Sequence, residues 1–123
     1  MTFFRKQQGA LGETLASEFL QKQGMKLLEK NYRCKLGEMD LVFRDQDALV
    51  FVEVKLRKSE YFGAAALAVT PRKRRKIIQV AQVYLLEKKM NASRLSIRFD
   101  VVGITKIGEE WKCEHYRNAF LTR

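Results

Sequence analysis

The sequence predicts an α/β protein: a mixed sheet with helices on its faces, in the order α-β-β-β-α-β-β. Three observations predict it. Residues Leu49 to Arg57 alternate as a strand does, with Val50, Val52, Val54 and Leu56 on one face and Phe51, Glu53, Lys55 and Arg57 on the other. Residues Gln8 to Gln23 carry apolar side chains at helical spacing. A long, strongly apolar helix opening at Thr70-Pro71 separates the third strand from the fourth, and a helix in that place carries the chain across to a parallel partner.

Each element has its own signal. In the first helix Leu11, Leu15 and Phe19 recur every fourth residue, Ala16 and Leu20 widen the stripe, and Gly24 is placed to cap the end. Met25 to Arg33 is expected as a first strand, although polar insertions blur its alternation. Leu36 to Arg44 is the second strand, Asp45-Gln46-Asp47 is turn material, and Ala48 to Arg57 is the third strand. Lys58 to Val69, with Tyr61, Phe62 and Gly63, reads as a loop or a partly ordered crossover. Thr70 as N-cap and Pro71 in the first helical position start the second helix, which is expected to end near Met90 and Asn91. Ile77, Ala81, Tyr84 and Leu85 mark its main face; Ile78, Val80, Val83 and Leu86 make most of the remainder apolar, which predicts deep burial. Arg94 to Ile104 and Trp111 to Arg117 are the last strands, joined by a turn at 107–110.

Length and charge narrow the classes. A chain of 123 residues is expected to form one domain, 1–123, burying roughly 65% of its unfolded surface. Lys and Arg outnumber Asp and Glu by 24 to 14, for a formal net charge of +10. That surplus suits a polyanion, with nucleic acid the first candidate and an anionic membrane surface the second. Two cysteines, Cys34 and Cys113, form neither a disulfide framework nor a C-x-x-C pair, so free thiols in a reducing compartment are expected. With no apolar run of membrane-spanning length and no signal-peptide core, the expected location is the cytoplasm.

The hairpin of the second and third strands carries the chemistry. With Gln46-Asp47 as its loop, Met39 faces Val54, Leu41 faces Val52 and Phe43 faces Val50, giving one continuous apolar side. The same register sets Asp40 opposite Glu53 and Glu38 opposite Lys55. Two opposed carboxylates repel unless a proton or cation lies between them. Mg²⁺ or Mn²⁺, held by one or two carboxylates with waters and a substrate phosphate, is the natural partner. Lys55 would orient an attacking water or offset phosphate charge, and Arg57 would contact a phosphate. The competing reading is a solvated salt-bridge cluster, a common use of such residues; Phe51 and Val42 on the same face argue against free solvation. Glu13, on the flank of the first helix, is available as a third carboxylate.

The pattern Gly37-Glu38-Met39-Asp40, followed by Val52-Glu53-Val54-Lys55-Leu56-Arg57, with twelve residues between Asp40 and Glu53, resembles the PD-(D/E)xK nuclease signature. With Gly12-Glu13 before it and Arg98-Phe99-Asp100-Val101-Val102 after it, the chain resembles the YraN-type family of bacterial proteins, from Gly9 to about Val102. That family is similar to archaeal Holliday-junction resolvases and to the restriction-endonuclease fold. The resemblance implies a restriction-endonuclease-like sheet, with Asp40 and Glu53 as metal ligands and Lys55 as the catalytic lysine. It also implies that Glu13 is a second ligand or water-positioning acid, that Mg²⁺ or Mn²⁺ is the cofactor, and that the protein dimerises. Two departures stand out: Met39 replaces the signature proline, and Gln79 is followed by Tyr84 rather than by a tyrosine four residues on.

Arg72, Lys73, Arg74, Arg75 and Lys76 open the second helix, where they read as phosphate contacts rather than as a bare solvated end, because five cations there oppose the helix dipole. His115, the only histidine, reads as a packed or surface residue rather than a catalyst, and Trp111 and Tyr116 as core or edge aromatics. Asp100 either touches the hairpin face or, the favoured reading, is a structural partner of Arg98 or Lys106; Tyr61 and Phe62 either touch substrate or anchor their loop. The expected function is metal-dependent hydrolysis of DNA phosphodiesters, on branched or structured DNA in repair or recombination. The alternative is a non-catalytic nucleic-acid-binding protein of the same fold, and RNA is a third candidate partner.

Overall fold

A computed structural model describes residues 2–57 and 69–120, with side chains from residue 9 onward. Its elements are α1 (Thr2–Lys22), β1 (Lys26–Cys34), β2 (Gly37–Asp45), β3 (Ala48–Arg57), α2 (Pro71–Glu87), a 3₁₀ turn (Ala92–Arg94), β4 (Ser96–Ile107) and β5 (Glu110–Tyr116). The order α-β-β-β-α-β-β is the expected one. Tyr61, Phe62 and the rest of 58–68 lie outside the described residues.

The five strands form one sheet in the order β1-β2-β3-β4-β5. β3 pairs with β4 in parallel, while the neighbouring pairs are antiparallel. The sheet is mixed because α2 carries the chain over one face between its only parallel strands. On that face Ile77, Val80, Ala81, Tyr84 and Leu85 of α2 pack on Val42, Phe51, Phe99 and Val101. The Tyr84 ring stands edge-on to Tyr32 and Phe51, at centroid distances of 5.0 and 5.7 Å. Phe51, 1% exposed, is worth about 1.5–3 kcal/mol of burial by itself. On the opposite face Ala16 and Leu20 of α1 pack on Leu41, Phe43, Val50, Val52, Val102 and Ile104.

Several boundaries and faces differ from expectation. α2 ends at Glu87, because Lys89 turns left-handed (φ 56°) and Met90 N–H donates back to Leu85 O at 2.9 Å. Asn91 instead starts the next turn, its side chain accepting from Ser93 N–H. Leu86 is 80% exposed, so α2 buries one face and not its whole circumference. Leu11 is also exposed; Gly12 faces the sheet in its place, so close that an added Cβ would lie 3.2 Å from Leu56 Cγ. Cys34 and Cys113 are free thiols. Among the described residues no helix is long and apolar enough to cross a membrane.

Candidate functional site

The β2–β3 hairpin takes the predicted register, pairing Leu41 with Val52, Phe43 with Val50 and Asp45 with Ala48 around the Gln46-Asp47 turn. The ladder stops at Leu41 and Val52. Beyond it the strands part, so the expected backbone pairs Met39–Val54, Asp40–Glu53 and Glu38–Lys55 are not part of the ladder. Met39 is a correction: it packs in the α2-side core, whereas Leu41 and Phe43 pack on the α1 side. Unbroken alternation would put all three on one face. The face switches between Leu41 and Met39, alongside the stretch of β1 where Asn31 is left-handed (φ 52°).

Where β2 and β3 part, the Asp40 carboxylate replaces the missing ladder bond. Its Oδ2 accepts the Val54 N–H at 2.8 Å. Glu53 lies next to it, 9% exposed, and Lys73 from the first turn of α2 brings Nζ to 3.5 Å from Glu53 Oε1. Burial, then the charge of Asp40, pushes the Glu53 carboxyl up to about 7 against the pull of Lys73 and Lys55. Burial raises Asp40 as well, against the Val54 N–H and Lys73. Lys55 is half-buried and near enough to Glu53 for its charge to act on it. The two acids therefore meet in a desolvated gap with incomplete compensation, and their all-oxygen donor set fits a hard divalent cation.

Glu13 approaches from α1. Burial and the charge of Asp40 raise its pKa, while the Asn31 side chain pulls it down. Among the described residues no group of three His, Cys, Asp or Glu side chains comes together as a metal cluster. Asp40 and Glu53 are thus the two acids brought together where β2 and β3 part, with Glu13 near enough to feel the charge of Asp40. Gly9, Ala10, Glu13, Asn31, Arg33 and Glu38 line a concavity of about 300 Å³ alongside. Gly37 starts β2 at φ 146°, where a side chain would be strained although its Cβ would meet Val80 and Lys76 only at ordinary contact distance.

The cations divide. Arg72, Arg75 and Lys76 are exposed at the start of α2, whose N-cap Thr70 Oγ1 accepts the Lys73 N–H at 3.2 Å. Lys73 serves Glu53, and Arg74 donates to Val69 O at 2.8 Å and covers the Phe120 ring. Arg57 is engaged across the sheet. Its Nε donates to Thr105 Oγ1 at 2.7 Å, its Nη2 pairs with Glu114, and its side chain is 8% exposed.

Sequence reasoning missed two features. Asn31 has no motif to mark it, although an asparagine interrupting a strand pattern is a signal for a left-handed step. The other is the extent of a buried chain of charges on the α1 side, of which only the Arg98–Asp100 pairing is among the expectations. Asp100, 1% exposed, takes a two-point contact from Arg98 at 2.9 and 3.0 Å, the Asn118 N–H at 3.0 Å and a contact to His115 Nε2 at 2.7 Å. Arg98 also reaches Asp45 at 3.0 Å. Asp100 is therefore a structural partner of Arg98, as expected, and His115 is packed at 7% side-chain exposure.

Fold and site define a small mixed-sheet α/β protein with a pair of desolvated acids where two strands of a hairpin part. Residues 12–104 match the model of the "Uncharacterised protein family UPF0102", and the chain belongs to that family. A UPF0102 protein of Vibrio campbellii is 44% identical over 108 residues, covering 88% of each chain. One from Syntrophotalea carbinolica is 42% identical over 120 residues, covering 98% of this chain and 96% of its own. One from Alkaliphilus oremlandii is 41% identical over 115 residues, covering 94% and 98%.

Proposed function

We propose that the protein is a metal-dependent endonuclease that hydrolyses DNA phosphodiesters, with branched or structured DNA as its substrate class. The observation that carries this reading is the meeting of Asp40 and Glu53 in a desolvated gap, with Lys73 and Lys55 beside them. Asp40 and Glu53 would hold Mg²⁺ or Mn²⁺, which when bound supplies Lewis-acid stabilisation of phosphate charge and a more acidic water. Asp40 is fixed for this role by the Val54 N–H. Lys55 adds positive charge on the side of the sheet where phosphate charge would build. Exposed Arg72, Arg75 and Lys76 at the start of α2 would take flanking phosphates, and backbone N–H groups at a helix start favour the same ligand. Arg57 is left out of this set, since Thr105 and Glu114 already engage it.

The test is cleavage of duplex, single-stranded and four-way-junction DNA with Mg²⁺ or Mn²⁺, comparing wild type with Glu53→Gln. Cleavage of at least one substrate by wild type and its loss in the variant are expected. Equal behaviour on every substrate overturns the reading. The exposed cations of α2 favour a second reading, a non-catalytic nucleic-acid-binding protein, because they need no metal to hold a phosphate backbone. DNA binding without cleavage, and with a melting temperature unmoved by millimolar Mn²⁺, would select it.

A further inference from the structure

We propose that Asn31 is a positioning residue that aims both acids: its left-handed backbone turns Asp40 toward Val54, and its side-chain amide holds Glu13 beside Asp40. The first half rests on register. The pairs Lys30–Leu41 and Tyr32–Met39 bracket Asn31, so it stands directly across the β1–β2 ladder from Asp40. Asn31 has φ 52° in the middle of a strand. That conformation costs an L-residue roughly 1–2 kcal/mol, and such strain persists where the surroundings require it. Its effect on the chain is visible on both sides. Leu41 and Phe43 lie in the α1-side core, whereas Met39 and Tyr32 lie in the α2-side core. The switch of face falls at the Asn31–Asp40 step, where the β2–β3 ladder also ends and the Asp40 carboxylate takes the Val54 N–H. A straight β1 would keep β2 alternating and in register with β3, with a β2 carbonyl in place of the Asp40 side chain at Val54.

The second half rests on the amide. Asn31 and Glu13 line the same concavity, close enough for the Asn31 side chain to counter the rise that burial and the charge of Asp40 impose on Glu13. That concavity is about 300 Å³ and is also lined by Arg33 and Glu38. One asparagine thus faces the acid of α1 with its side chain and the Asp40 step of β2 with its backbone. Removing a residue that hydrogen-bonds and orients a metal-site acid costs on the order of 10–100-fold in metal affinity. This inference rests on the phosphodiesterase reading only for its metal-dependent half.

The experiment separates backbone from amide. Asn31→Gly keeps the left-handed turn and removes the amide; Asn31→Val opposes the turn and removes the amide; Asn31→Ala opposes it more mildly and serves if the valine variant does not fold. Metal-free ¹H–¹⁵N spectra and amide exchange report on the Val54 N–H. Mn²⁺ calorimetry reports on the site. The valine or alanine variant is expected to shift the Val54 amide and speed its exchange about tenfold, while the glycine variant leaves it as in wild type. The glycine variant is expected to bind Mn²⁺ about tenfold more weakly. An unchanged Val54 amide in the valine and alanine variants overturns the backbone role; wild-type Mn²⁺ affinity in the glycine variant overturns the amide role. If wild type binds no Mn²⁺ and Val54 still responds, the phosphodiesterase reading fails while the backbone role of Asn31 is upheld.

Discussion

Lys73 Nζ stands 3.5 Å from Glu53 Oε1, so a cation from the first turn of α2 is spent on a carboxylate of β3. This contact ties the crossover helix to the acid pair. It also explains why one member of the basic run is unlike its neighbours. Replacing Lys73 by Met is expected to push the Glu53 pKa higher, since Lys73 is the principal group holding it down. The pair is half-exposed on the lysine side, so the stability cost is expected to stay below about 1 kcal/mol. Carboxyl ¹³C titration and urea unfolding measure the two effects; an unmoved Glu53 titration would show that the contact carries no charge coupling.

Glu53 makes the protein less stable as pH rises. Its carboxyl titrates near 7 in the folded chain, against 4.5 as the ordinary value. Between those values the folded state holds a proton that the unfolded state has lost, so stability falls across this window and levels off above it. Glu53→Gln is therefore expected to be more stable than wild type at pH 8, by on the order of 2 kcal/mol, with the gain vanishing below pH 4.5. Urea unfolding at several pH values tests this; a variant less stable than wild type at pH 8 contradicts it.

Asp100 has the opposite sign. Burial alone would raise its carboxyl, but His115, Arg98 and the Asn118 N–H outweigh it and hold the carboxyl below its usual range. Its contribution is present above the ordinary carboxylate pKa and is lost as pH falls through the lowered value. Asp100→Asn leaves Arg98 half-paired in a buried setting and is expected to cost about 3–5 kcal/mol at pH 7. A loss under about 1 kcal/mol would mean that Asp45 alone satisfies Arg98.

The exposed cations of α2 act on a polyanion and not on the fold. Changing Arg72, Arg75 and Lys76 together to Ala is expected to leave the unfolding midpoint near wild type and to weaken DNA binding. The slope of log K against log salt falls by about 0.9 for each duplex phosphate that is no longer neutralised. Fluorescence anisotropy across a KCl series reads that slope. An unchanged slope would move the nucleic-acid face elsewhere.

Much of this was legible in the sequence because hydrophobic alternation is a strong constraint. The alternation of Leu49–Arg57 and the Gln46-Asp47 turn determine the hairpin register, and Thr70-Pro71 determines where α2 begins. The parallel pairing of β3 and β4 follows from the helix between them. What was hidden depends on single residues with unusual backbones. β1 breaks its own alternation twice, at the register shift between Leu27 and Glu29 and at left-handed Asn31, so its pattern reads weakly and the Met39 face comes out reversed. Lys73 as partner of Glu53 was illegible because the contact spans a crossover, and no local spacing encodes it. The pairing of Arg57 with Glu114 was hidden for the same reason: its partner lies on β5, two strands away.

The parallel pairing of β3 with β4 also orders events in time. The hairpin that carries Asp40 and Glu53 just past its last paired residues closes a two-residue turn, whereas Lys73 arrives only with a crossover helix. Short closures precede long ones in conformational search. The nascent hairpin therefore experiences its mutual repulsion before relief arrives, and this handicap falls on the folding barrier. Refolding is expected to quicken in mildly acidic buffer, where a shared proton does early what the helix does late.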